Sequence, residues 1–215
     1  FLSDNGACHE GGPLGFDRDE GRGGVLGEVD SYQSYGVSWS NASNTPFRRH
    51  KTWVHEGGIA TPFIVHWPTG IPARGELRHT PAHVIDFVPT VLELVGATKP
   101  TTWDGTPIPP APGRSLVPAL ARDVAVDRPD LWWLHEGNRA LRVGDWKLVA
   151  ARDEPWQLYD LTTDRGELND LAARRPDLAR ELERRWSARL EEFQTFVRRA
   201  VAPNQAKLNL QPPGP

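Results

Sequence analysis

The stretch from Leu131 to Ala200 constrains the fold more than any other part of the chain. Residues 131–135, 140–143, 146–150 and 156–160 are short, apolar-rich segments divided by tight turns. Gly137-Asn138 and Gly144-Asp145 are hairpin-type dipeptides, so the four segments predict an antiparallel meander. Residues 176–200 then change period. Leu178, Leu182, Trp186, Leu190, Phe193 and Val197 fall three or four apart, the mark of one long amphipathic helix. Pro176 and Asp177 suit its first turn. Such a stripe needs an apolar partner, and the inner face of the meander is the available one.

Upstream the signals differ. Phe1-Leu2 reads as a strand running into the polar turn Ser3-Asp4-Asn5-Gly6, and residues 63–67, closed by Pro68, read as a buried strand. Residues 31–44 place Tyr32, Tyr35 and Trp39 among Ser, Asn and Gly, which reads as a long irregular segment able to wall a site. Gly21-Arg22-Gly23-Gly24 has neither a strand before it nor a helix after it, so it is a loop and not a dinucleotide motif. Residues 86–96 predict a helix with Asp86 as its cap rather than a ligand, Pro89 in the first turn and Gly96 at the end. Its stripe is Val88, Val91, Leu92 and Val95. Residues 1–98 are therefore expected to form the edge of a parallel α/β sheet. Residues 99–112 form a Pro-rich linker, 113–202 a small α+β subdomain and 203–215 a poorly ordered tail.

Composition removes several function classes. The 215 residues carry a net charge of −3, which points away from nucleic acid and anionic membranes. No apolar run approaches the roughly 20 residues of a membrane helix. A single cysteine, Cys8, excludes an internal disulfide and a cysteine-based zinc site. The chain has no Met and begins in mid-strand, so it is expected to be part of a longer protein.

Two places can carry chemistry. Asp4 and Asn5 stand side by side at the C-terminal tip of a strand, where α/β sheets place their ligands. A carboxylate and an amide oxygen suit a hard cation, and the same residues suit an ordinary turn ending in Gly6. Residues 47–58, Phe-Arg-Arg-His-Lys-Thr-Trp-Val-His-Glu-Gly-Gly, gather cations just before a Gly-Gly turn. Such a cluster binds an anionic group or simply faces water. His50, His55 and His66 share no metal-ligand spacing, which argues against zinc.

These motifs, in order, are Ser3-Asp4-Asn5-Gly6, the Lys51 to Gly58 run, Thr61-Pro62-Phe63-Ile64-Val65-His66-Trp67-Pro68 and Asp86-Phe87-Val88-Pro89-Thr90. Gly113-Arg114-Ser115-Leu116, Arg142 to Leu148 and Trp156 to Leu161 follow. Together they resemble the C-terminal half of the type I sulfatases, bacterial arylsulfatases in particular. The resemblance implies an alkaline-phosphatase-like mixed sheet followed by a small subdomain. It implies that Asp4 and Asn5 are metal ligands for calcium, or alternatively magnesium, and that Lys51 is a catalytic residue binding the substrate sulfate. The implied reaction is hydrolysis of a small-molecule or carbohydrate sulfate ester by a hydrated formylglycine. That nucleophile derives from a Cys/Ser-x-Pro/Ala-x-Arg motif. Cys8 lacks the required Pro and Arg, and no Ser here has them, so this chain alone is expected to be inactive. A phosphodiesterase or phosphonate monoester hydrolase of the same superfamily is the alternative, since sulfate and phosphate are both tetrahedral anions. A non-catalytic anion-binding module is another. The sequence assigns no compartment and no oligomeric state.

Overall fold

The computed structural model describes residues 1–17, 25, 27–29, 31–72 and 75–201, the last three without side chains. The expected tail and the Gly21-Arg22-Gly23-Gly24 loop lie outside the described residues. In chain order the elements begin with strands β1 (Phe16–Asp17) and β2 (Gln33–Ser34) and helices α1 (Gly36–Asn44) and α2 (Glu56–Ile59). A 3-10 turn (Val84–Asp86) runs into α3 (Phe87–Leu94), followed by hairpin β3 (Thr102–Trp103) and β4 (Thr106–Pro107) and helix α4 (Val117–Ala121). Strands β5 (Leu131–His135), β6 (Asn138–Val143), β7 (Trp146–Ala150) and β8 (Gln157–Asp160) precede α5 (Pro176–Val201). The architecture is mixed α/β with antiparallel sheets.

The meander and its helix are present. β5-β6-β7-β8 form one antiparallel sheet in sequence order. His135 pairs with Asn138, so the first turn is Glu136-Gly137, one residue earlier than expected. Both turn residues take positive φ, 50° and 83°, as a two-residue primed turn requires. On one face Leu141, Leu148 and Leu158 pack against Leu182 and Trp186 of α5. Each leucine buried there contributes about 2 kcal/mol. The indole of Trp186 donates to the Trp133 carbonyl at 3.1 Å and that of Trp132 to the Trp186 carbonyl at 3.1 Å, which fixes the helix on the sheet. Phe193 and Val197 remain half exposed. A helix of 26 residues is about 39 Å long and overruns four narrow strands.

The other face of the same sheet is also covered. Ala140, Val149 and Tyr159 pack with Val54 and Leu161. The meander is thus sandwiched between α5 and the Lys51 segment, which joins the subdomain to the first half of the chain.

That first half departs from expectation in three places. Phe1-Leu2 and residues 63–67 do pair, but as a single antiparallel bridge, Leu2 to Phe63, and not as a parallel sheet edge. Nor is the second segment buried, since Phe63, Ile64, Val65 and Trp67 are 39–59% exposed. Only a covering layer buries an apolar strand, and the described residues supply little beyond Phe87, whose ring meets Phe63 at 5.1 Å. The 31–44 segment is not irregular, because residues 36–44 form α1. Its Ser and Asn residues are poor helix formers. Tertiary bonds hold it instead. Ser40 Oγ lies 3.0 Å from His50 Nδ1, and the Asn44 amide accepts from Ala7 N–H and donates to the Arg49 carbonyl.

Asp86 caps, though one turn earlier than expected. Its carboxylate accepts the His83 N–H at 2.8 Å, closing the 3-10 turn before α3. It also accepts the Arg114 N–H at 2.8 Å and pairs with Arg128 at 2.7 Å, tying α3 to the segment leading into β5. The apolar stripe of α3 is largely exposed at Val88, Val91 and Val95. Within the Pro-rich 99–112 stretch, Asp104-Gly105 turns a small hairpin, both residues at positive φ.

Candidate active site

Lys51, Asp4 and Asn5 belong to one hydrogen-bonded frame. The Lys51 N–H donates to the Ala7 carbonyl at 3.1 Å, and the Gly6 N–H donates to the Gly58 carbonyl at 2.8 Å. The turn carrying Asp4-Asn5 and the loop carrying Lys51 are therefore stitched together on both sides of Gly6. The approach is so close that a Cβ on Gly6 would lie 1.8 Å from the Gly57 carbonyl oxygen. Only glycine fits there. Gly58 is similarly confined, its would-be Cβ 1.9 Å from the Trp53 carbonyl oxygen. The expected Gly-Gly turn is in fact the one-turn helix α2.

Lys51 points at a residue the sequence reading passed over. Its ammonium lies 2.9 Å from Glu10 Oε1. The hydrogen bond from Lys51 holds the Glu10 carboxyl below its usual range, and the same bond raises Lys51. Lys51 is thus a fixed cation. No local signal marks Glu10, because its partner is 41 residues away. Beside it, His9 stacks on His50 with ring centroids 4.2 Å apart, and Trp53 meets both rings. Burial, then the neighbouring His9 and Arg49, lowers His50 to about 4, so it is a neutral imidazole at physiological pH.

The Asp4 carboxylate is exposed and makes no hydrogen bond or ion pair with the described residues. Asn5 accepts from the Ser3 hydroxyl through its backbone carbonyl, and its side-chain amide makes no hydrogen bond with the described residues. Both are hard oxygen donors and fit a calcium or magnesium ion. Among the described residues no group of three or more His, Cys, Asp or Glu is arranged around a metal. Cys8, the only thiol, is half-buried.

A second cluster lies beneath the loop, buried at Lys147, Glu56 and Glu167 and exposed at Arg165. Lys147 Nζ sits 2.9 Å from Glu56 Oε1 and 2.8 Å from Glu167 Oε1, and Arg165 reaches Glu56 Oε2 at 3.0 Å. Burial opposes ionisation of Glu56, but Lys147 and Arg165 outweigh it and the carboxyl is lowered. At Glu167 burial prevails over the pull of Lys147 and the carboxyl is raised.

His55, wholly buried next to this cluster, is lowered to about 2, first by burial and then by Lys147, Arg49 and Arg48. Its folded pKa lies below its ordinary 6.5, so its neutral form favours folding. That contribution is complete above pH 6.5 and is lost as pH falls, at about 1.4 kcal/mol per pH unit. Urea denaturation should show His55→Leu losing about 2 kcal/mol less than the parent between pH 6 and pH 4. Equal acid losses in the two proteins would count against this role.

Residues 48–195 match the family model described as N-sulphoglucosamine sulphohydrolase, C-terminal. The chain belongs to the sulfatase family, as a C-terminal part of the alkaline-phosphatase-like fold. A sulfatase of Schizosaccharomyces pombe is 32% identical over 168 residues, covering 75% of this chain and 30% of that protein. The arylsulfatase of Klebsiella aerogenes is 33% identical over 123 residues, covering 54% of this chain and 26% of that enzyme. The crystal structure of Ps i-CgsB in complex with k-i-k-neocarrahexaose superposes with a TM-score of 0.57 and 25% identity, over 71% of this chain and 34% of that one. The chain thus spans less than a third of the length of these curated relatives. No helix among the described residues is long and apolar enough to cross a membrane.

Proposed function

We propose that this chain supplies one side of the active site of a sulfate-ester hydrolase acting on an aryl or carbohydrate sulfate. The observation that carries the reading is the Lys51 ammonium. It is held by Glu10 at 2.9 Å in the same backbone frame as Asp4 and Asn5. A sulfate ester bears one negative charge, and cleavage of its S–O bond adds charge to the leaving oxygen and the sulfate. A lysine is a point charge on a flexible stem, suited to a tetrahedral anion. Lys51 orients the sulfate by ion pairing and offsets charge as it develops. Glu10 holds that ammonium in place. His50, neutral and stacked on His9, adds no charge of its own. Asp4 and Asn5 would hold calcium, or magnesium, together with ligands from outside this chain. Such an ion, when bound, would supply Lewis-acid charge to offset the negative charge of a sulfate. The nucleophile is assigned to a formylglycine in another part of the protein. The sulfatase relatives favour sulfate over phosphate as the transferred group.

The assignment of Asp4 is tested by metal analysis of the intact enzyme. Asp4→Ala should weaken calcium affinity by about tenfold or more, because it removes a charged oxygen ligand. Metal content equal to the parent across a chelator titration would overturn it.

A further inference from the structure

We propose that Glu167 and Lys147, in the C-terminal subdomain, are positioning residues for Lys51: they clamp the loop that carries it onto the meander. The inference rests on the reading of Lys51 given above.

The loop is strained where it carries Lys51. Arg49 and Thr52, on either side, hold φ values of 66° and 90°. Left-handed backbone is unfavourable for any L-residue with a side chain, and most so for a β-branched one such as Thr52. Such geometry persists only where the surroundings over-determine it. Several of the loop's holding contacts come from the C-terminal subdomain. Asn138 of β6 donates to the Thr52 carbonyl at 3.2 Å, and Glu154 accepts from Arg49 with both oxygens at 2.9 Å. Arg48 donates to Gln157 at 3.1 Å and to the Tyr159 hydroxyl at 3.0 Å, both on β8.

The far end of the loop is held by the buried charges. Glu167 Oε2 accepts the Glu56 N–H at 2.8 Å, at the first residue of α2, while its other oxygen contacts Lys147. Lys147 in turn holds the Glu56 side chain. From there Gly57 N–H closes back to the Arg48 carbonyl at 2.8 Å, and the Gly58 carbonyl receives the Gly6 N–H. Glu167 itself stands at a φ of 56°. One buried carboxylate thus grips both the backbone of the Lys51 loop and the cation that holds the Glu56 side chain. A buried cluster that merely joined two halves of the chain would need no contact with the loop's backbone and no strained residues beside Lys51.

Two readouts on the intact enzyme separate positioning from catalysis. In Glu167→Gln, which keeps size and shape, hydrogen exchange at the Lys51, Gly57 and Gly58 amides should speed up about tenfold. Exchange at Ala140 and Leu148 should stay within about twofold. Turnover of an aryl sulfate should fall about tenfold with KM little changed, since a displaced contact weakens the transition state more than binding. Arg165→Gln, at the exposed end of the cluster, should give a smaller change in the same direction. Unchanged exchange at the three loop amides overturns the clamp. Loosened amides with normal turnover overturn the link to catalysis. In that case Lys51→Ala shows which idea failed, because normal turnover there places the fault in the reading of Lys51 itself.

Discussion

Lys51→Ala in the intact enzyme should lower kcat/KM for an aryl sulfate by about 10²–10³-fold while leaving the fold in place. The size follows from where the charge sits. The ammonium meets a monoanion in the ground state and a more highly charged group in the transition state, so its loss falls on the chemical step as well as on binding. The substitution also strips Glu10 of the cation 2.9 Å away, leaving a carboxylate facing the incoming sulfate. A second change, Glu10→Gln on the Lys51→Ala background, should therefore recover part of the lost affinity. Lys51→Arg should not restore full activity, because a planar fork cannot occupy the position of a point charge. Steady-state kinetics beside near-ultraviolet circular dichroism makes the check. A folded Lys51→Ala enzyme with near-normal turnover would falsify the assignment.

Lys147→Met should destabilise the protein by about 3–5 kcal/mol, the cost of removing one member of a buried charge set. Lys147 is wholly buried, and both of its carboxylate partners are shielded from solvent. Methionine fills much the same volume without charge, so packing changes little and the loss is electrostatic. The pH dependence gives a second signature. Without Lys147 the Glu167 carboxyl, already raised by burial, loses the cation that pulls it down, and Glu56 loses one of the two cations that lower it. Ionisation of Glu167 then opposes folding above the unfolded pKa, and protonation relieves it. The deficit is greatest near neutral pH and shrinks on acidification toward the ordinary carboxyl range. Urea melts at pH 7 and pH 5 measure both effects. A midpoint shift worth less than about 1 kcal/mol at pH 7 would show that the pair is not held against water as described.

The elements readable in advance are those whose signal is local. The period of Leu178, Leu182, Trp186 and Leu190 and the turn dipeptides of the meander announce α5 and β5–β8 within windows of a few residues. The one-residue error at Glu136-Gly137 is of the same local kind, since either dipeptide suits a tight turn. Asp4, Asn5 and Lys51 stood out only as a spaced series of motifs, and the structure brings their backbones together through Gly6 and Ala7. Residues 63–67 misled because an apolar run states that a strand prefers cover without stating where that cover comes from. α1 misled because its helix survives on bonds to His50, Ala7 and Arg49 and not on propensity.

The meander and its helix are legible in the chain's local periodicity and turn residues. That both faces of the meander are covered, and that Lys51 meets Glu10, follows from packing between distant segments. Packing alone placed Glu56, Lys147 and Glu167 in one buried cluster. The reason is separation. Glu56 meets Lys147 across 91 residues and Glu167 across 111, and a charge shows nothing locally of whether it will be solvated or desolvated. Periodicity reports which side of an element is apolar. The partner of a buried charge is settled by which distant segment reaches it when water is excluded.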